Sequence, residues 1–231
     1  MARWNTTHNR VLAALAGAVL GLLVGGDAQA GGSEPPYLSD EQVLAALPAG
    51  SSISVRYDAD LDGDGLADLA VVGGTEQDRR LVVWLGRPGG HEAPLFATLG
   101  VPGLLQQANL DKEDGTLLVM DATGEEEGAE TRTIYRYRRV PGAASLMLAS
   151  LETERYHGKD AVRVAWNLQT GAHEFARGTL LPSVDDAEEL RPRYPAPGRS
   201  RRPSPPLDIA QTPLPDALID AELHAPAAKP D

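Results

Sequence analysis

The sequence predicts a mainly β protein: an antiparallel sandwich or barrel-like sheet, with one short N-terminal helix and a disordered C-terminal tail. Three observations predict it. Short apolar or alternating runs recur from Ile53 to Leu168. Turn signals separate them: Gly73-Gly74, Pro88-Gly89-Gly90, Asp114-Gly115, Pro141-Gly142 and Thr170-Gly171. Little of the chain between these turns has a helical signature. Roughly eight short strands joined by tight turns fit two packed sheets or one closed sheet.

The elements follow in order. Residues 1–30 read as a cleaved signal peptide. Arg3 and Arg10 precede an apolar run from Val11 to Val24, and Ala28-Gln29-Ala30 supplies the small residues of a cleavage site. The run is shorter than the ~20 residues a membrane span needs. No span is therefore expected after cleavage, and the mature chain is expected in the periplasm or outside the cell. Residues 31–37 form a flexible leader. Ser39 and Gln42 have the spacing of a capping box, so a helix starts there, and Pro48 stops it. The β domain is expected to span residues 38–182. Its strands include Ile53–Tyr57, Leu69–Val72, Leu81–Leu85 and Leu117–Met120. Thr133, Tyr135 and Tyr137 alternate with Ile134, Arg136 and Arg138, which predicts a strand with one wet face. Val162, Val164, Trp166 and Leu168 do the same against Arg163 and Asn167. Residues 183–231 read as a Pro-rich disordered tail, because 10 of the 40 residues from Pro192 to Asp231 are proline. The tail also holds a basic cluster, Arg191, Arg193, Arg199, Arg201 and Arg202, whose partner would be an anionic surface or the protein's own acidic face.

Composition narrows the chemistry. The 231 residues carry a formal net charge of −12, which opposes nucleic-acid binding by the chain as a whole. There is no cysteine, so disulfides, thiolate metal sites and a cysteine nucleophile are excluded. Cleavage after Ala30 would remove Arg3, Arg10 and Asp27 and leave the chain one unit more acidic.

The informative segment runs from Asp58 to Leu69. Counted from Asp60, carboxylates stand at positions 1, 3, 5 and 9 (Asp60, Asp62, Asp64 and Asp68), with Gly65 at position 6. Ca²⁺ takes six to eight oxygen ligands. Alternate side chains of a tight loop converge, and glycine permits the sharp turn. Leu66, at position 7, would lend its backbone carbonyl. The predicted ligand set is Asp60, Asp62, Asp64, Leu66 and Asp68, and the predicted ion is Ca²⁺. Like charges 4 Å apart repel by ~1 kcal/mol in water and ~4 kcal/mol at an effective dielectric of 20, so gathered carboxylates call for a cation. Position 12 is Val71, not the bidentate Glu of an EF-hand, and the flanks read as strands. Asp58 and Glu76 are further candidate ligands. Binding in the ~10⁻⁴–10⁻³ M range of extracellular modules is expected.

The run Asp60-Leu-Asp-Gly-Asp-Gly-Leu-Ala-Asp-Leu-Ala-Val-Val, followed by Leu81-Val-Val-Trp-Leu-Gly, resembles one FG-GAP/VCBS-type repeat. The resemblance covers roughly residues 53–86, and a looser one to small exported single-repeat bacterial proteins reaches to 176. It implies a calcium loop between strands. Members with many repeats form β-propellers, as in integrin heads. Asn109 to Gly115 resembles a second loop with its glycine displaced, and reads first as an Asp-Gly hairpin turn.

Other chemistry finds little support. His91, His157 and His173 are far apart and form no His-x-x-x-His pair. The chain lacks a Gly-x-Ser-x-Gly elbow and a phosphate-binding Gly-rich loop. Trp84 and Trp166 read as core, and Glu125-Glu126-Glu127 as a solvated loop. The leading expectation is an exported, non-enzymatic β domain with structural calcium. The alternatives are an adhesion module for an envelope or cell-surface protein or glycan, and an envelope hydrolase.

Overall fold

The computed structural model describes residues 34–99, 105–124, 129–143, 145–183, 190–202 and 204–225. The predicted signal peptide, residues 31–33 of the leader and the Glu125–Glu127 run lie outside the described residues. Among the described residues the architecture is mainly antiparallel β, as the sequence predicts.

Helix α1 (Asp40–Ala45) starts at the predicted capping box. Gln42 N–H donates to Ser39 Oγ at 3.3 Å, and Ser39 N–H donates to Gln42 Oε1 at 2.9 Å. One sheet follows, in the order β1 (Ser52–Ala59), β2 (Asp68–Gly74), β3 (Arg79–Trp84) and β6 (Leu95–Thr98). A small hairpin, β4 (Gly86–Arg87) with β5 (Gly90–His91), interrupts the β3–β6 connection. Strands β2 and β3 are apolar on both sides because both sides are covered. Ala70, Val72, Leu81 and Val83 face the main core. Leu69, Val71, Val82 and Trp84 face Val43 and Leu47 of the α1 segment.

The second sheet is larger and curls. Its order is β13 (Leu190–Arg193), β12 (Ala172–Pro182), β11 (Asp160–Asn167), β10 (Leu146–His157), β9 (Glu130–Arg139), β8 (Thr116–Gly124) and β7 (Leu105–Glu113). Strand β14 (Gly198–Arg201) lies end to end with β13 along the same edge of β12. Strand β9 alternates as predicted: Thr133, Tyr135 and Tyr137 are buried, and Arg136 and Arg138 are not. The β7–β8 turn is the Asp114-Gly115 hairpin, with φ of 49° and 70°, the left-handed values of a two-residue hairpin turn. The two sheets close on one core, where Leu81 and Val83 meet Leu117, Val119, Tyr135, Leu148 and Trp166.

The disordered-tail expectation does not hold across the described residues 190–225. Besides β13 and β14, they form a 3-10 turn at Ile209–Gln211 and helix α2 (Pro215–His224). Ile209 and Ile219 are fully buried. Tyr137 Oη lies 2.9 Å from Thr212 Oγ1, and Trp166 Nε1–H donates to Ser204 Oγ at 3.1 Å. Proline count misleads here because position matters more. Pro215 opens α2, where a missing N–H costs nothing, and Pro192 sits in a short strand at the edge of the sheet. The basic cluster partly meets the protein's own acids: Arg199 pairs with Glu174 at 2.9 Å, and Arg202 pairs with Glu222.

Candidate metal centre

The β1–β2 connection is the predicted loop. Its ladder closes at the Ala59–Asp68 pair, so residues 60–67 bulge out together. Two anchors shape it. Leu61 is buried in the main core. Asp68 is 1% exposed, and its carboxylate holds the loop's two ends. Asp68 Oδ2 accepts from Leu61 N–H at 2.6 Å and from Asp62 N–H at 3.2 Å. Asp68 Oδ1 accepts from Gly86 N–H at 2.6 Å, which ties the β4–β5 hairpin to the loop. Burial pushes the Asp68 carboxyl above its usual range, these N–H donors pull it down, and the charge of Asp62 raises it.

The rest of the loop is a chain of side-chain-to-backbone turns. Asp60 accepts from Gly63 N–H at 2.6 Å and from Gly65 N–H at 3.1 Å. Asp62 accepts from Asp64 N–H at 3.2 Å, and Asp64 accepts from Leu66 N–H at 2.9 Å. Gly63 and Gly65 have φ of 83° and 85°, which side-chain-bearing residues rarely adopt. The sequence pointed to Gly65; Gly63 carries the same demand.

Of the predicted ligands, the fold gathers three. Asp60, Asp62 and Asp68 each present a carboxylate oxygen within 4.8 Å of the others. The donors are all hard oxygen, which suits Ca²⁺ or Mg²⁺ and not a soft metal. Asp64 lies outside this group. Its Oδ2 accepts from Arg87 Nη1 at 2.8 Å, and the same nitrogen lies 3.3 Å from Asp62 Oδ2. Leu66 follows Gly65 half-buried, fixed through its N–H on Asp64. Asp58 is engaged by Arg56 through two 2.8 Å hydrogen bonds on the strand below.

Two cations at the loop were not foreseen. Arg87 is also held by Glu92 at 2.7 Å. Lys112, from β7, donates its ammonium to the Asp60 carbonyl. Both lie 23 or more residues from the loop groups they reach, so the loop's spacing says nothing of them. Arg87 gives Asp62 and Asp64 a counter-charge from within the chain.

His173 forms a separate constellation. It is 3% exposed. Its Nδ1 lies 3.3 Å from Ser200 Oγ, and its Nε2 lies 3.5 Å from Glu222 Oε1. Ser200 is its direct cross-strand neighbour and Arg202 engages Glu222, so these contacts latch β14 and α2 onto β12. Burial lowers the His173 pKa, the Arg202 charge lowers it further and Glu222 opposes both. Among the described residues no helix is long and apolar enough to cross a membrane. Comparison with protein-family models, curated proteins and solved structures found no match for the chain.

Proposed function

We propose that this is an exported, non-enzymatic β domain whose 60–68 loop binds Ca²⁺ as a structural ion. The observation that carries the reading is the convergence of Asp60, Asp62 and Asp68 within 4.8 Å in a turn built on two left-handed glycines. Asp64, the Leu66 carbonyl and water would complete the six to eight oxygens that calcium takes. The ion would neutralise the gathered carboxylates and couple folding to cation concentration. An FG-GAP/VCBS-type identity for residues 53–86 is part of the proposal; the β1–loop–β2–β3 order supports it. Export rests on residues 1–30 and places the mature chain in the periplasm or outside the cell.

Arg87 tests the reading from the other side. Its guanidinium competes with a cation for Asp62 and Asp64. Arg87→Gln is expected to tighten calcium binding by about fivefold, near 1 kcal/mol. The same change should lower the melting temperature in chelator, where the carboxylates lose their internal counter-ion. Isothermal titration with calcium and a thermal melt in chelator read both effects. Unchanged affinity would mean that the cation and Arg87 do not share these oxygens.

A further inference from the structure

His173 stands where three elements meet β12. Trp166 of β11 and Ser200 of β14 are its cross-strand neighbours, and Glu222 comes from the last turn of α2. The ring is almost wholly out of water, and its Nε2 makes no hydrogen bond among the described residues. The charged groups that act on it are Arg202 and Glu222. Both His173 Nε2 and the Arg202 guanidinium are directed at one oxygen, Glu222 Oε1. The other neighbours bring no charge. Trp166 comes from β11, Ser200 from β14, and Phe175 is the next side chain on the same face of β12. Glu174 points to the opposite face, where Arg199 holds it at 2.9 Å.

A neutral imidazole with its proton on Nε2 suits both polar neighbours. Ser200 Oγ then donates to Nδ1 across 3.3 Å, and Nε2–H points at Glu222 across 3.5 Å. A second proton enters at Nδ1 and makes the ring a cation. That cation is buried, and the carboxylate it faces is already engaged by Arg202. Water stabilises a charged imidazole better than such a site does. Burial and the Arg202 charge accordingly hold the His173 pKa below its ordinary 6.5, against the pull of Glu222. The element able to give way is β14. It is a four-residue edge strand, exposed throughout, and β12 is its strand partner. Arg202 N–H donates to the Gly171 carbonyl at 2.9 Å and closes that ladder.

We propose that His173 is an acid-sensitive latch: protonation of its ring releases β14 and the last turn of α2 from β12 and bares the β12 edge at residues 172–175. Once the latch opens, His173 meets water and titrates near its ordinary 6.5. Between that value and the lower pKa of the closed form, the open form binds more protons. Closure is therefore favoured in full above 6.5 and weakens as pH falls through this window. One proton limits the effect to about tenfold per pH unit. Ile209 and Ile219 keep the rest of the C-terminal segment buried in place, so the opening is local. The latch shares no residue with the calcium loop.

The test is amide hydrogen exchange of the full chain, corrected for intrinsic rates. Opening at residues 198–202 and 220–224 is expected to rise about fivefold between about pH 7.5 and about pH 5.5. The central strand β10 should show no matching rise. His173→Gln keeps a neutral polar side chain and should abolish the rise. In the unaltered chain the Cε1–H resonance of His173 should titrate with a midpoint below 6.5. Arg202→Gln removes the competing cation and should move that midpoint up. Equal opening at both pH values would overturn the proposal. So would a rise that survives in His173→Gln, a midpoint at or above 6.5, or a midpoint that Arg202→Gln leaves in place.

Discussion

Replacing Arg79 by methionine is expected to destabilise the protein by about 3–5 kcal/mol at pH 8, and by clearly less near pH 4.5. Arg79 begins β3 and Asp121 lies on β8, so their ion pair, at 2.9 Å, bridges the two sheets. Both residues are buried, Arg79 at 1% exposure and Asp121 at 5%. Taking two charges out of water is expensive, and each makes the other tolerable. Burial pushes the Asp121 carboxyl up to about 6, while the Arg79 charge pulls it down. The sign of the pH effect follows. A carboxyl whose folded pKa exceeds its unfolded value near 3.8 binds more protons in the folded state between those values. Its stabilising contribution is present at the acid end and is lost as pH rises through about 6. Removing Arg79 raises the carboxyl further and deepens that loss at pH 8. Urea unfolding at both pH values measures it. An equal loss at both would mean that Arg79 contributes packing and not counter-charge.

The second large effect is expected at Ile209. Its side chain is 1% exposed and joins the main core. The backbone beside it is tied in as well, since Leu148 N–H donates to the Leu207 carbonyl at 2.9 Å. Ile209→Ala should cost about 2–5 kcal/mol, or about 4–20 °C in melting temperature for a chain of this size. Ending the chain after residue 189 should cost more. It removes Ile209 and Ile219 together, uncovers the β12 edge, and takes away the partners of Tyr137 and Trp166. A truncated chain that melts with the full one would show that these residues only decorate the surface.

What could be read from the sequence was local. The Ser39–Gln42 box, the alternation of Thr133, Tyr135 and Tyr137, and the Asp114-Gly115 turn each carry their signal within a few residues, and each forms as expected. The β1–β2 loop was legible for the same reason, because glycines and aspartates at fixed spacing dictate its turns. The unforeseen parts are all long-range. Leu61 looks like a filler between two aspartates, yet it is the loop's anchor in the core. Arg87 and Lys112 reach the loop from other elements. The Arg79–Asp121 pair joins residues whose neighbours in sequence say nothing of each other. The C-terminal segment was misjudged because composition averages over position. Two buried isoleucines, a helix opened by Pro215 and hydrogen bonds to core aromatics order residues that their proline content suggested were loose.

The most direct measurement is the melting temperature of the full chain in ~10 mM calcium and in excess chelator. For a site with a dissociation constant of ~10⁻⁴–10⁻³ M, mass action predicts a gain of about 1.4–2.7 kcal/mol, or about 3–10 °C. Equal magnesium should shift it less, and the Asp60→Asn, Asp62→Asn double variant should lose the shift while keeping acceptors for the turn's N–H groups. A wild-type chain that melts at one temperature in both media would contradict the calcium reading of the loop.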